Sequence, residues 1–361
     1  MQARYTVYPR PSPSPSPSPE PEGPTSPCRH IYRPLKRDEI RLLILNPGAP
    51  TDPITCYLEH YAVSKTKPFS ALSYAWGAAS ATSGSDGPTI LLGGAAFSVT
   101  TNLFSFLRAY RTEHECPVLW IDAICIDQLD LAEHSAQIPL MKRIYEGAEQ
   151  VLIWLGDATL ATGPAIDHMN RIYANWWMPR LDLAGGSPQR ALAAVSAEDV
   201  TEVLDNQSRH HQLEWEGMQE IFSRPWWTRI WVYQEATSPC RRSPVVLIGP
   251  HSIPFEHVLT MNQIIRHAAW RGNSFSKFQN FTSKTSAYMQ TYTGLRRRYQ
   301  ETGLSRFLKL ADLLPALRNF DATNPRDKLY ALIPTSLDEP SCWMFGTIGR
   351  LRRCIRALRG P

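Results

Sequence analysis

Residues 118–156 read VLWIDAICIDQLDLAEHSAQIPLMKRIYEGAEQVLIWLG, and the architecture turns on this stretch. Val118–Ile121 is a short apolar run of the kind that forms a buried strand. Asp130 stands three residues before Glu133, a capping-box arrangement related to the Ser/Thr form, and opens a helix. Behind it Ile138, Met141, Ile144, Tyr145 and Ala148 fall on one side at helical spacing. Val151–Leu155 is a second buried run, closed by Gly156. Strand, helix and strand in this order predict a βαβ unit.

The same alternation continues outward. Arg41–Leu45 and Phe69–Trp76 read as strands, and Thr89–Leu92 and Ala96–Thr100 flank Gly93-Gly94, a hairpin signal. Asn102 is placed to cap a helix running through Arg111 that buries Leu103, Phe106, Leu107 and Tyr110. The expected fold is α/β, with a mainly parallel sheet flanked by helices. Such folds hold ligands at the carboxyl edge of the sheet. That edge would carry Tyr74–Gly77, Asp122–Asp127 and Gly156-Asp157.

Downstream the reading is more helical. A helix near Gln212–Phe222 precedes Pro225-Trp226-Trp227, Val245–Ile248 reads as a strand, and 255–270 and 304–314 read as helices. Asn324-Pro325 starts a further helix, cap then first turn. Nine of the thirty prolines lie between Pro9 and Pro27, so residues 1–30 are expected to be an extended, solvated arm. The expected organisation is this arm, a principal domain over 31–237, a mainly helical extension over 238–340, and an Arg-rich tail over 341–361.

Composition narrows the function. All of the formal +5 charge can be assigned to the five arginines of 341–361, which hold no acid, and residues 1–340 balance. A nucleic-acid-binding face needs aligned cations on the folded surface, so nucleic acid is not the expected partner. No apolar run approaches the ~18–20 residues that cross a bilayer, and the first ten residues lack a signal-peptide core. A cytoplasmic protein without a membrane span is the expectation. Seven scattered cysteines with no Cys-x-x-Cys pair argue against a disulfide framework and against a thiolate zinc site. Phosphate-cradling glycine loops, a nucleophile elbow and a His-Glu-x-x-His pair are all absent from the sequence. No metal site is expected.

Three constellations remain. Leu72-Ser73-Tyr74-Ala75-Trp76-Gly77 is either a strand with packed aromatics ending at a glycine turn, or a strand end whose polar groups line a pocket. Asp122 and Asp127, at the end of a buried strand, suit acid–base chemistry or capping of the helix that follows. In Arg229-Ile230-Trp231-Val232-Tyr233-Gln234-Glu235, a Glu four residues after a Trp can share a helical face with it. That pair would bind a flat ring and raise the carboxyl pKa by desolvation, or else Glu235 is a surface ion-pair partner.

Taken in order, Leu72–Gly77, Asn102-Leu103, Leu119–Gln128, Met141–Ala148, Val151–Gly156 and Arg229–Glu235 resemble the motifs of the fungal heterokaryon-incompatibility domain. Ala322–Leu332 resembles a stretch often found downstream of it. Family members often run on well past the length of this chain, so a shortened product is an expectation of that comparison. The resemblance implies non-self recognition leading to growth arrest or programmed cell death, through protein partners or self-assembly. It also implies a distant likeness to Toll/interleukin-1-receptor domains, which have a flavodoxin-like sheet and in some cases hydrolyse NAD. No cofactor is implied with certainty, and NAD enters as a candidate substrate. The Trp231-to-Glu235 spacing matches the Toll-like catalytic pattern with Val232 in place of its Cys. Glu235 is thereby nominated as catalytic, and Ser73, Tyr74, Trp76, Asp122 and Trp231 as ligand-binding.

Overall fold

The computed structural model describes residues 31–76, 87–196, 199, 209–238, 240–270, 289, 294, 308–322 and 324–337. The Pro/Ser arm, Gly77 and the Arg-rich tail lie outside the described residues. Among the described residues one nine-stranded sheet is the organising element, in the order β5-β4-β2-β1-β6-β3-β7-β8-β9. Its strands are β1 (Glu39–Leu45), β2 (Thr55–Ala62), β3 (Ser70–Tyr74), β4 (Thr89–Leu92), β5 (Ala95–Ser98), β6 (Val118–Trp120), β7 (Gln150–Trp154), β8 (Val245–Ile248) and β9 (His251–Pro254).

The α/β class is as expected, and the sheet is mixed rather than mainly parallel. Its centre, β6-β3-β7-β8, is parallel throughout, while β1 pairs antiparallel with both β2 and β6, and β4–β5 and β8–β9 are antiparallel hairpins. The βαβ unit read from 118–156 does form, with β3 inserted between its two strands. Its crossover consists of α2 (Asp122–Cys125), α3 (Leu131–Gln137) and α4 (Met141–Gly147). Met141, Ile144, Tyr145 and Ala148 are buried as the spacing predicts. β8 and β9 lie beyond residue 237 and belong to the same sheet. The hairpin glycines Gly93 and Gly94 have φ of 58° and 85°, the left-handed pair that a two-residue hairpin turn needs.

Two capping expectations change. Helix α1 (Thr101–Tyr110) is capped by Thr100, whose Oγ1 accepts from the Leu103 amide, and not by Asn102. Asn102 instead ties strands together: its Nδ2 donates to Ala75 O at 2.6 Å, and its Oδ1 accepts from Trp154 Nε1 at 2.8 Å. Asp130 does cap α3, accepting from the Ala132 and Glu133 amides. The Glu133 side chain does not close the box, because it is claimed by buried Arg41 at 2.5 and 2.8 Å.

The later helices are α5 (Thr162–Ile172), α6 (Met178–Leu183), α7 (Pro188–Ala193), α8 (Arg209–Ser223), α9 (Val232–Thr237), α10 (Phe255–Trp270), α11 (Leu310–Leu317) and α12 (Asp327–Tyr330). Helix α8 lies so close to α5 that a Cβ at Gly217 would stand 2.1 Å from Ala161 O, so only glycine fits that crossing. Helix α9 packs on β3, β7 and α4, which brings the Arg229–Glu235 motif to the middle of the parallel strands. No described helix is long and apolar enough to cross a membrane.

Candidate functional site

Parallel neighbours end on the same side of a sheet, so β6, β3 and β7 deliver the segments that follow them to one edge. A cleft of about 1220 Å³ lies there. Ala75 and Trp76 enter it from β3, Asp122 from β6, and Gly156 and Asp157 from β7. This is the carboxyl edge that the sequence singles out. Thr100, Thr101 and Asn102 close it from the start of α1, and Arg224, Trp226, Arg229 and Trp231 from the segment between α8 and α9.

Trp76 and Asp122 work together. The Trp76 Nε1–H donates to Asp122 Oδ2 at 3.0 Å, and the Ala123 amide donates to Oδ1 at 2.8 Å. Asp122 is thus the first residue of α2, which has no side-chain cap bond, and its carboxyl also faces the cleft. Burial pushes its carboxyl up, against the pull of Arg229. Trp76 stays 40% exposed, which leaves ring surface free for contact. Asp127 is not part of the cleft lining; its side chain accepts from the Leu129 amide in a turn. Trp231 lines the cleft and hydrogen-bonds Asp327, whose carboxyl is also raised by burial. The cleft therefore holds two Trp–Asp pairs.

Glu235, Ser73 and Tyr74 lie behind this wall rather than in it. Glu235 is 2% exposed, so it is no surface ion-pair partner. Its carboxylate accepts a short hydrogen bond from Ser73 Oγ, which in turn accepts from Trp226 Nε1 at 2.8 Å. Trp226 faces the cleft, so this chain of side chains links Glu235 to it, as does the charge of Arg229. The Trp231 ring bonds Asp327 and the Glu235 carboxyl bonds Ser73, although one turn of chain joins the two residues. Tyr74 is buried, its phenol raised well above the ordinary value by burial, and its backbone carbonyl accepts from the Arg229 guanidinium.

Burial raises the Glu235 carboxyl to about 7, opposed by Arg229 and by the Ser73 hydrogen bond, and reinforced by Asp122. A carboxyl with a raised folded-state pKa is neutral in the fold while the unfolded chain is already ionised. Stability is then lost as pH rises from about 4.5 to about 7, and the loss is complete above that, at about 3 kcal/mol. Glu235→Gln should remove this dependence. Urea unfolding should show the variant gaining about 3 kcal/mol on wild type between pH 5 and pH 8. An unchanged difference between the two pH values would show that the carboxyl is not buried.

The sequence reading did not anticipate Arg224, Asn102 in its bridging role, His134, Asp321 or Asp327 as cleft residues. Pro225-Trp226-Trp227 was a visible aromatic cluster, and Arg229 opens a recognised motif. The other positions carry no local signal, because they come together only through tertiary packing. Among the described residues no group of His, Cys, Asp and Glu is arranged to hold a metal.

The fold and the cleft together define an α/β domain with a ligand-sized site at its carboxyl edge. The family model described as heterokaryon incompatibility protein (HET) matches residues 69–235, from the residue before β3 to Glu235 itself. Heterokaryon incompatibility protein 6, OR allele, of Neurospora crassa is 26% identical over 339 residues, covering 81% of this chain. The match covers 47% of that relative, so the chain spans about half its length. No solved structure matches. Residues 69–235 thus match the heterokaryon incompatibility (HET) domain, and the likeness to the Neurospora protein supports the same assignment.

Proposed function

We propose that the chain is a signalling module of fungal incompatibility, which arrests growth or kills the cell through assembly, and that the cleft is its working site. The observation that carries this reading is the coincidence of the family match with the cleft. The matched segment supplies Trp76, Asp122, Asp157, Arg224, Trp226, Arg229 and Trp231, all of which line it. The relative's name supports the incompatibility role. The test is inducible expression of the full chain in hyphae, scored by vital-dye uptake and by the size of the protein in the same lysates. Dye-positive compartments with the protein in large species are expected. Healthy hyphae at high expression would contradict the role, and dying hyphae holding only monomer would contradict assembly.

NAD hydrolysis through Glu235 is the second reading, favoured by the burial of that carboxyl and its pKa near 7. Direct chemistry would require the carboxylate to reach ligand past Ser73 and Trp226. Under this reading Glu235→Gln lowers NAD consumption about a hundredfold or more, because a developing cation loses its counter-charge. Full-length protein that kills hyphae without consuming NAD removes it.

A further inference from the structure

In Ser187-Pro188-Gln189-Arg190 a serine is followed directly by proline and, at the third position beyond it, by arginine. The same pattern stands at Ser26-Pro27-Cys28-Arg29 and at Ser238-Pro239-Cys240-Arg241. The fold separates the three. Ser238 is 4% exposed and its Oγ donates to Gln234 O at 2.6 Å, so no outside molecule reaches it. Ser26 lies outside the described residues. Ser187 stands in the turn between α6 and α7, with exposed residues on both sides of it. Before it, Gly185 and Gly186 have φ of 65° and 75°, and a Cβ on either would meet nothing within 4 Å. That is open surface in a conformation glycine adopts without steric cost. The Ser187 hydroxyl makes two long contacts of 3.4 Å, donating to Gln189 Oε1 and accepting from the Arg190 amide. Its backbone is extended, at φ −93° and ψ 108°, and Gln189 and Arg190 beyond it are exposed.

A weakly held hydroxyl on an extended, accessible stretch is what a protein kinase requires of its substrate. Proline after the serine favours a kinase whose pocket offers that residue's amide no acceptor, because proline has no N–H. Arginine at the third position supplies a cation for an anionic group on the kinase. A kinase holds its substrate extended, so the first turn of α7 must open. With six residues α7 opens at little cost, since so short a helix is marginal by itself. We propose that Ser187 is a phosphorylation site for a proline-directed serine/threonine kinase. In the transfer Ser187 Oγ attacks the γ-phosphorus of ATP, and the new Oγ–P bond replaces the bond from that phosphorus to the bridging oxygen. ADP leaves with the electron pair of the broken bond, and the hydroxyl proton passes to the kinase's catalytic carboxylate. The product places about two negative charges on this corner of the fold. None of residues 181–195 lines the cleft, so the site stands independently of the function proposed for the cleft.

The test incubates full-length protein with ATP and a cyclin-dependent kinase bound to its cyclin, then digests with trypsin and reads phosphate by mass spectrometry. Cleavage after Arg180 and Arg190 isolates Leu181–Arg190, in which Ser187 is the only hydroxyl residue, while Ser238 falls on Ile230–Arg241. Phosphate on the first peptide should exceed that on the second at least tenfold, whereas synthetic peptides of the two sequences should be labelled alike. Pro188→Ala and Arg190→Ala should each lower labelling of Ser187 about tenfold, and Ser187→Ala should leave that peptide unlabelled. Melting temperatures measured alongside confirm that the variants remain folded. In hyphae expressing the full chain, Leu181–Arg190 should also be recovered carrying phosphate. Folded wild type unlabelled at Ser187, or a peptide found only unmodified in hyphae, would overturn the site. Labelling undiminished in Pro188→Ala would overturn the kinase class.

Discussion

Glu133→Ala should cost about 3–5 kcal/mol of folding stability in urea unfolding, one of the two largest effects expected in this chain. Arg41 sits in β1 with no exposed surface, and Glu133 holds it through both carboxylate oxygens at 2.5 and 2.8 Å. The guanidinium is also held by Cys125 O and Arg33 O, and Glu133 additionally accepts from the Asp127 amide. Removing the carboxylate leaves a buried cation without its counter-charge, which costs more than the pair itself is worth. Replacing both residues with apolar ones of similar volume should therefore cost less than Glu133→Ala alone. A single-variant loss under about 1 kcal/mol would mean that Arg41 is reached by water.

Trp120→Ala should cost a similar amount, about 3–5 kcal/mol. The indole is fully buried in β6, at the centre of the sheet, and meets the Tyr145 ring of α4 edge-on at 5.5 Å. Truncation opens a cavity between the sheet and the crossover helices that the rigid parallel strands cannot close. A soluble variant with near-normal stability would place Trp120 elsewhere and undo the assignment of β6.

These two effects mark what a sequence can and cannot disclose. Trp120 is legible because it lies in an uninterrupted apolar run, and the βαβ unit around it follows from periodicity. Arg41 gives no such signal: a charge inside a strand reads as solvent-facing until Glu133, far along the chain, is folded against it. β2 escaped for a related reason. Only Cys56 of its residues is fully buried, and Glu59 and His60 interrupt any apolar run. The flank made by β1, β2, β4 and β5, antiparallel except where β2 meets β4, carries no signal as a unit, and the sheet reads as mainly parallel.

The site divides in the same way. Strand ends are local, so Trp76, Asp122 and Asp157 could be placed at the carboxyl edge from sequence order alone. Glu235 was singled out by its spacing from Trp231, yet spacing along a helix does not say which of two faces meets the cleft. The structure turns the carboxyl inward to Ser73 and leaves the ring outside. Asn102 shows how side-chain competition decides a cap: Thr100 takes the α1 amide, freeing Asn102 to join Ala75 and Trp154.

The central claim is that incompatibility signalling runs through the cleft, and one comparison in hyphae tests it directly. Wild type, Trp76→Ala and Leu160→Ala are expressed at matched levels and compartment death is counted. Leu160 is 94% exposed and outside the cleft lining, so its variant controls for a change at the surface. The account predicts death with wild type and with Leu160→Ala, and survival with a folded, soluble Trp76→Ala. Killing by Trp76→Ala at the wild-type rate would contradict it.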